Sequence, residues 1–205
     1  YQTGTFDAND FNVTVGYFRS GYSTTRELFM GSGTWTSTGS SGYVFDIDPS
    51  TNMTLHAETS TVVISNTGTG LKYFTGGGLT YNTVTFSGNN ILIYTSSNTF
   101  NTMNVNTAGF ATGLLITGGT TQTVTNFTSN GSVGNLAIMK SNNTTKAILV
   151  KSDGQNVCED YMNVDYITGS PASTWYVGSN STDGTHNLNV TFSGCPVPGP
   201  NEASR

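Results

Sequence analysis

Residues 79–154 repeat one pattern, a strand-length run followed by a small polar turn, and no helical period interrupts it. Tyr81-Asn82-Thr83-Val84-Thr85-Phe86 is answered a short way on by Phe100-Asn101-Thr102-Met103-Asn104-Val105. Runs at 90–94, 113–116, 123–127, 135–139 and 147–150 fill the stretch. A run returns roughly every ten to fourteen residues, and a pattern of aromatic, Asn, then alternating apolar residues returns at a longer period. That rhythm is the signature of stacked β structure.

The same rhythm extends through the flanks. Towards the N-terminus, runs at 11–15, 17–18, 26–30, 34–36, 43–48, 52–57, 60–65 and 71–74 read as strands, with Gly16 at a bend and Pro49 at a turn. Beyond Gly154, residues 157–166 read as one longer acidic strand, Ser170-Pro171 as a break, 174–178 and 188–192 as the last strands. The chain is expected to be one domain, with N-terminal rungs over 1–78, central rungs over 79–154, a C-terminal cap over 155–195 and a Pro-rich tail over 196–205.

Two all-β architectures fit. In a right-handed parallel β-solenoid, successive strands lie on successive faces of a coil, and Asn stacks in hydrogen-bonded ladders at strand ends. In an antiparallel sandwich, the spacing would require hairpins. The tight hairpin dipeptide Asn-Gly occurs only at Asn130-Gly131, so the solenoid is the expected fold.

Composition narrows the function. Charged residues are only 9% of the chain, against about 25% in an average globular protein. Aromatics at 11% and many β-branched residues argue for order rather than a flexible linker. A net charge of −5 with seven scattered Lys and Arg excludes a basic stripe for nucleic acid. No run reaches the length of a membrane-spanning helix. The chain starts at Tyr1 without an initiator Met or a signal-peptide pattern, which reads as a processed form or part of something longer.

Cys158 and Cys195 are the only cysteines. In a chain poor in charge and rich in sequons they read as an extracellular disulfide, the alternative being two buried thiols. Asn12, Asn52, Asn126, Asn130, Asn142, Asn143, Asn180 and Asn189 each begin an Asn-x-Ser/Thr sequon, an acceptor where the producing cell glycosylates exported chains.

At the level of motifs, the Thr99-Phe100-Asn101-Thr102-Met103 rung and the closing Trp175-Tyr176-Val177-Gly178-Ser179-Asn180-Ser181 with Asp183-Gly184 resemble Asn/Thr/Gly-rich β-solenoid domains of phage fibre, virion and bacterial surface proteins. The resemblance covers about residues 70–193, and Asn187-Leu188-Asn189-Val190-Thr191-Phe192 replaces the Gly-Trp ending common in such sequences. It implies an extracellular setting on a virion or cell surface and carries no catalytic residues.

A structural, non-enzymatic role is therefore expected, with self-association into a fibre or multimer through the ends of the coil. The alternative is a glycan-binding adhesin using Tyr17, Tyr43, Tyr73 and Trp175 as stacking platforms. A polysaccharide depolymerase would need paired carboxylates, for which Asp46 with Asp48, Glu159, Asp160 and Asp165 are the candidates. His56 and His186 stand in no metal-ligand spacing. No cofactor is expected; the turn 180–184 offers oxygen ligands for calcium without the carboxylate density of a dedicated loop.

Overall fold

The computed structural model describes residues 1–170 and 173–196, an all-β chain wound into a parallel β-solenoid of about eight turns. Pro171 and, apart from Pro196, the Pro-rich tail lie outside the described residues.

The first turn runs β1 (Gly4–Asp7), β2 (Val13–Val15) and β3 (Phe18–Arg19). The second has β4 (Arg26–Phe29), β5 (Thr34–Ser37) and β6 (Gly42–Asp46), the third β7 (Met53–His56), β8 (Thr61–Ile64) and β9 (Lys72–Thr75). The middle turns carry two strands each: β10 (Thr80–Phe86) with β11 (Ile91–Ile93), β12 (Thr99–Val105) with β13 (Leu114–Ile116), and β14 (Thr121–Ser129) with β15 (Ala137–Ser141). Three strands per turn return with β16 (Ala147–Lys151), β17 (Val157–Cys158) and β18 (Met162–Asp165), then β19 (Ile167–Gly169), β20 (Trp175–Tyr176) and β21 (Thr182–Asp183). β22 (Val190–Thr191) comes last.

Two eight-stranded sheets run the length of the coil. The first stacks β2-β5-β8-β10-β12-β14-β16-β19, the second β3-β6-β9-β11-β13-β15-β18-β21. A third face is sheeted only near the ends, by β1-β4-β7 and by β17-β20-β22. Every ladder between these strands is parallel, which rules out the sandwich. The single Asn-Gly site leads into a local antiparallel bridge between Ser132 and Asn135. Eight turns at the parallel inter-strand spacing make a coil roughly 40 Å tall.

Parallel stacking places like residue over like. In the first sheet Trp35, Val62, Val84, Met103 and Phe127 form one inward column, and in the second Phe18, Phe45, Phe74, Ile93 and Ile116 form another. Phe45 and Phe74 stack with centroids 5.2 Å apart, and Tyr81 and Phe100 pack beside Phe74. Each side chain in these columns is buried, and each contributes on the order of 1.5–3 kcal/mol by leaving water.

Asn side chains link successive rungs. Asn101 donates to Asn82 one rung back at 3.2 Å, and Asn104 links Thr85 and Thr128 across three rungs. Buried Asn98 accepts from the Gly78 amide through Oδ1 and donates from its own amide and Nδ2 to Gln122 Oε1. Asn98, just before β12, thus pairs the Gly78 amide where a strand begins, while Asn82, Asn101 and Asn104 tie neighbouring rungs side chain to side chain along the strands.

Two buried cations have the same duty. Arg26 donates to the carbonyls of Thr24, Pro49 and Thr51 and to Ser20 Oγ; Lys72 Nζ donates to Gly68 and Gly70 carbonyls at 2.7 Å each. Desolvation lowers both pKa values.

The long acidic strand expected over 157–166 is broken. Tyr161 and Tyr166 adopt positive φ, so β17 and β18 sit on different faces with a corner between them. The Asp160 carboxylate anchors that corner by accepting from the Tyr161 and Asn180 amides. Gly178, at φ +78, must be Gly: a Cβ there would lie 2.1 Å from Asp160 Oδ1. Residues 155–195, read as a cap, thus continue the two long sheets.

Candidate functional site

The N-terminal end of the coil is open. β1, β2 and β3 each pair on one side only. The Val15 carbonyl accepts from the Thr38 amide at 2.9 Å, so the peptide groups of Val13 and Val15 face β5. By the alternation of a parallel strand, Thr14 turns its N–H and C=O to the unpaired side. Above them lies an apolar cavity of about 430 Å³ lined by Tyr1, Phe6, Val13, Val15, Tyr17, Phe18, Arg19 and Trp35. Phe6 remains 37% exposed, and Tyr1 packs on Phe6 and Phe18. Partial burial raises the Tyr1 hydroxyl pKa.

The opposite end is strapped. Cys158 on β17 is bonded to Cys195, which follows β22, with Cα atoms 5.5 Å apart. Because β22 stacks on β20 and β20 on β17, the disulfide ties down the last two turns. Glu159, next to Cys158, accepts from the Ser129 amide and hydroxyl at 2.9 and 2.7 Å. These groups lie where β14 outruns its pairing with β16, and Lys151 Nζ likewise donates to the Thr125 carbonyl and to Asp153. Desolvation raises the Glu159 pKa, more than its Ser129 hydrogen bonds lower it. The Lys151 hydrogen bond does most to hold Asp153 below the usual carboxylate range.

A third surface lies on the flank of the second long sheet. Tyr43, Tyr73 and Tyr94 form a compact triad, with centroids 4.9, 5.1 and 6.3 Å apart. A register shift between Tyr43 and Phe45 sets Tyr43 against Tyr73 and Asp46 against Thr75. Arg19 lies 5.5 Å over the Tyr43 ring and donates to Asp46 Oδ2 at 3.1 Å. Thr75 donates to Asp46 Oδ1 at 2.6 Å, and Thr95 to Asp48 Oδ2 at 3.1 Å. Together Arg19, Tyr43, Asp46, Asp48, Thr75, Tyr94 and Thr95 line a cleft of about 250 Å³.

Of the four aromatics expected to stack on sugars, Tyr43 and Tyr73 are in this triad, and Tyr17 borders the open end. Trp175 corrects the expectation. It is 1% exposed, edge-on to Phe127 at 5.2 Å, and its place in β20 turns it into the core. Among the described residues its Nε1 has no hydrogen-bond partner.

The carboxylates do not assemble as one group. Asp46 and Asp48 share the flank cleft, while Glu159 turns to Ser129 and Asp160 to Asn180. Partial burial opposes ionisation of Asp160, but hydrogen bonds from Asn180 and the Tyr161 amide prevail and lower its pKa. Asp165 meets His186 at 3.0 Å, and that ring stacks on Tyr166. His56 stacks on Phe29 at 4.1 Å and meets Glu27 at 2.9 Å. In the turn considered for calcium, Asp183 Oδ1 accepts from Thr185 and Asn187. Among the described residues, no three His, Cys, Asp or Glu side chains converge as metal ligands.

All eight sequon asparagines are exposed. Asn12, Asn130, Asn142 and Asn143 accept backbone hydrogen bonds through Oδ1. Asn52, Asn180 and Asn189 donate through Nδ2, and Asn126 stands on the flank of β14.

No family model, curated protein or solved structure matches this chain. Its parallel β-solenoid architecture and its disulfide are what it presents for a functional reading, and no described helix is long and apolar enough to cross a membrane. The sequence missed Arg19, Thr75, Tyr94 and Thr95 as cleft residues. Thr95 and Asp48 lie 47 residues apart, and no local pattern signals a contact made across unequal turns.

Proposed function

We propose that this chain is a structural module of an extracellular assembly, a phage fibre, capsid decoration or surface filament, that stacks end to end with further copies of itself. The observation that carries this is the open N-terminal end. Unpaired strand edges and an uncovered apolar cavity at the same place favour addition of another rung. The occupant is the C-terminal end of a second copy, because both long sheets keep one parallel strand sense throughout, from β2 and β3 at one end to β21 and to Leu188, the chain's own bridge on β19, at the other. Such a head-to-tail contact does not close on itself, so it propagates into a filament. The disulfide supports an oxidising compartment, and the motif resemblance supports a virion or cell-surface setting.

Sedimentation velocity over a concentration series, followed by negative-stain microscopy, tests the proposal. Wild-type chain is expected to associate into single-file rods. Thr14→Pro removes a donor from the free edge and Phe6→Lys places a charge at the cavity; both variants are expected to remain monomeric with unchanged circular dichroism. A wild-type chain that stays monomeric, or variants that associate as it does, would contradict the proposal.

A further inference from the structure

We infer that the cleft between Tyr43, Tyr94, Asp46 and Asp48 is a binding site for a neutral hexopyranose residue of an oligosaccharide. The cleft opens on the flank of the coil rather than at its end, and shares only Arg19 with the lining of the open-end cavity.

A pyranose has an apolar C–H face and a rim of hydroxyls, so a site for it needs an aromatic surface beside fixed acceptors and donors. The triad supplies the surface: Tyr43 is 40% exposed and is held by Tyr73 and Tyr94. Asp48, exposed at the mouth, supplies carboxylate oxygens, and exposed Thr95 beside it supplies a hydroxyl. Carboxylates make strong charge-assisted bonds to sugar hydroxyls.

These groups are pre-positioned. Asp46 is held by Arg19, Thr75 and the Asp48 amide. Thr95 adopts φ +62, a region that costs a β-branched residue, and its hydroxyl is thereby turned to Asp48. The 47-residue contact joins two distant turns into one wall of the cleft.

Size and charge restrict the ligand. At about 250 Å³ the cleft lies below the range of roughly 300–1,000 Å³ for drug-sized ligands, and suits one sugar ring of a chain that continues along the coil. Two carboxylates against one guanidinium leave the cleft negative, which repels uronic and sialic acids.

Titration calorimetry with cellohexaose, maltohexaose and mannohexaose, and with hexagalacturonic acid as the acidic counterpart, tests the site. At least one neutral hexasaccharide is expected to bind saturably, and the acidic one is not. Tyr43→Ala and Asp48→Asn are each expected to weaken binding by roughly tenfold or more at unchanged melting temperature, the scale of one lost stacking or charge-assisted contact. Tyr22→Ala, at an exposed tyrosine outside the cleft, is expected to bind as wild type. Absence of binding by all three neutral sugars, equal binding of the acidic one, or full binding by both Tyr43→Ala and Asp48→Asn would overturn the inference. Thr14→Pro, expected to abolish stacking, is expected to bind as wild type, so failure of the stacking reading and failure of this one are separable.

Discussion

The first three turns and the last two solve the same problem in opposite ways. A solenoid must do something with the apolar core and strand edges at each end. At the N-terminal end the third face, β1-β4-β7, precedes the first long sheet in each turn, and its outermost strand is exposed along its whole length. The aromatic column simply stops at Phe18, Tyr1 and Phe6. At the C-terminal end the third face, β17-β20-β22, follows the first long sheet instead, and a disulfide ties its tail back onto it. The sheeted third face thus changes sides, passing through middle turns with two strands each. One end is fastened internally by the chain itself, and the other leaves its outermost strand edges unpaired.

Several substitutions test that contrast, and the largest effect belongs to the fastened end. Trp175→Ala should destabilise by about 3–5 kcal/mol, because it empties a buried site that no partner can refill. Phe18→Ala, at the open end, should cost less in dilute monomer than in the associated form; chemical denaturation at low and high protein concentration reads the difference.

Removing the strap comes next. Replacing Cys158 and Cys195 with Ser should lower stability by about 2–4 kcal/mol, given the 37-residue separation it bridges. Proteolysis should then cut first within 155–196, while the N-terminal turns resist as before. Cleavage beginning in the N-terminal turns would show that the strap does not act locally.

A smaller effect concerns pH. The folded Glu159 carboxyl has a pKa above its ordinary 4.5, so the unfolded chain binds fewer protons there than the folded one. Its contribution to stability is therefore full at acidic pH, and is lost as pH rises from about 4.5 through the folded value. Glu159→Gln keeps an acceptor for Ser129 and removes that loss. Thermal melts should show the variant gaining on wild type from acidic to neutral pH; a constant difference would place the cause elsewhere.

Much of this architecture was legible in the chain. The run-and-turn rhythm of 79–154 specifies parallel rungs because each short strand finds its partner at the same point of the next turn, as Tyr81 does with Phe100. The cysteine pair was equally visible, since it depends on residue type more than on distant context, whereas the Asn ladder expected at strand ends is instead a mid-strand pair, Asn82 with Asn101. Trp175 was misread because alternation alone does not say which face of a two-residue strand points inward. Residues 157–166 were misread because positive φ at Tyr161 and Tyr166 is imposed by a corner that only the neighbouring turns define. The flank cleft was hidden for a related reason: turns of unequal length, and a register shift after Tyr43, decide which side chains meet.

The most direct test of the open-end account is hydrogen exchange, read residue by residue at low and high protein concentration. The Thr14 amide and its neighbours at the edges of β1, β2 and β3 should exchange rapidly in dilute chain and become protected as concentration rises. Amides of the central strands β10, β12 and β14 should stay protected throughout. N-terminal edge amides that exchange at one rate at every concentration would contradict the account.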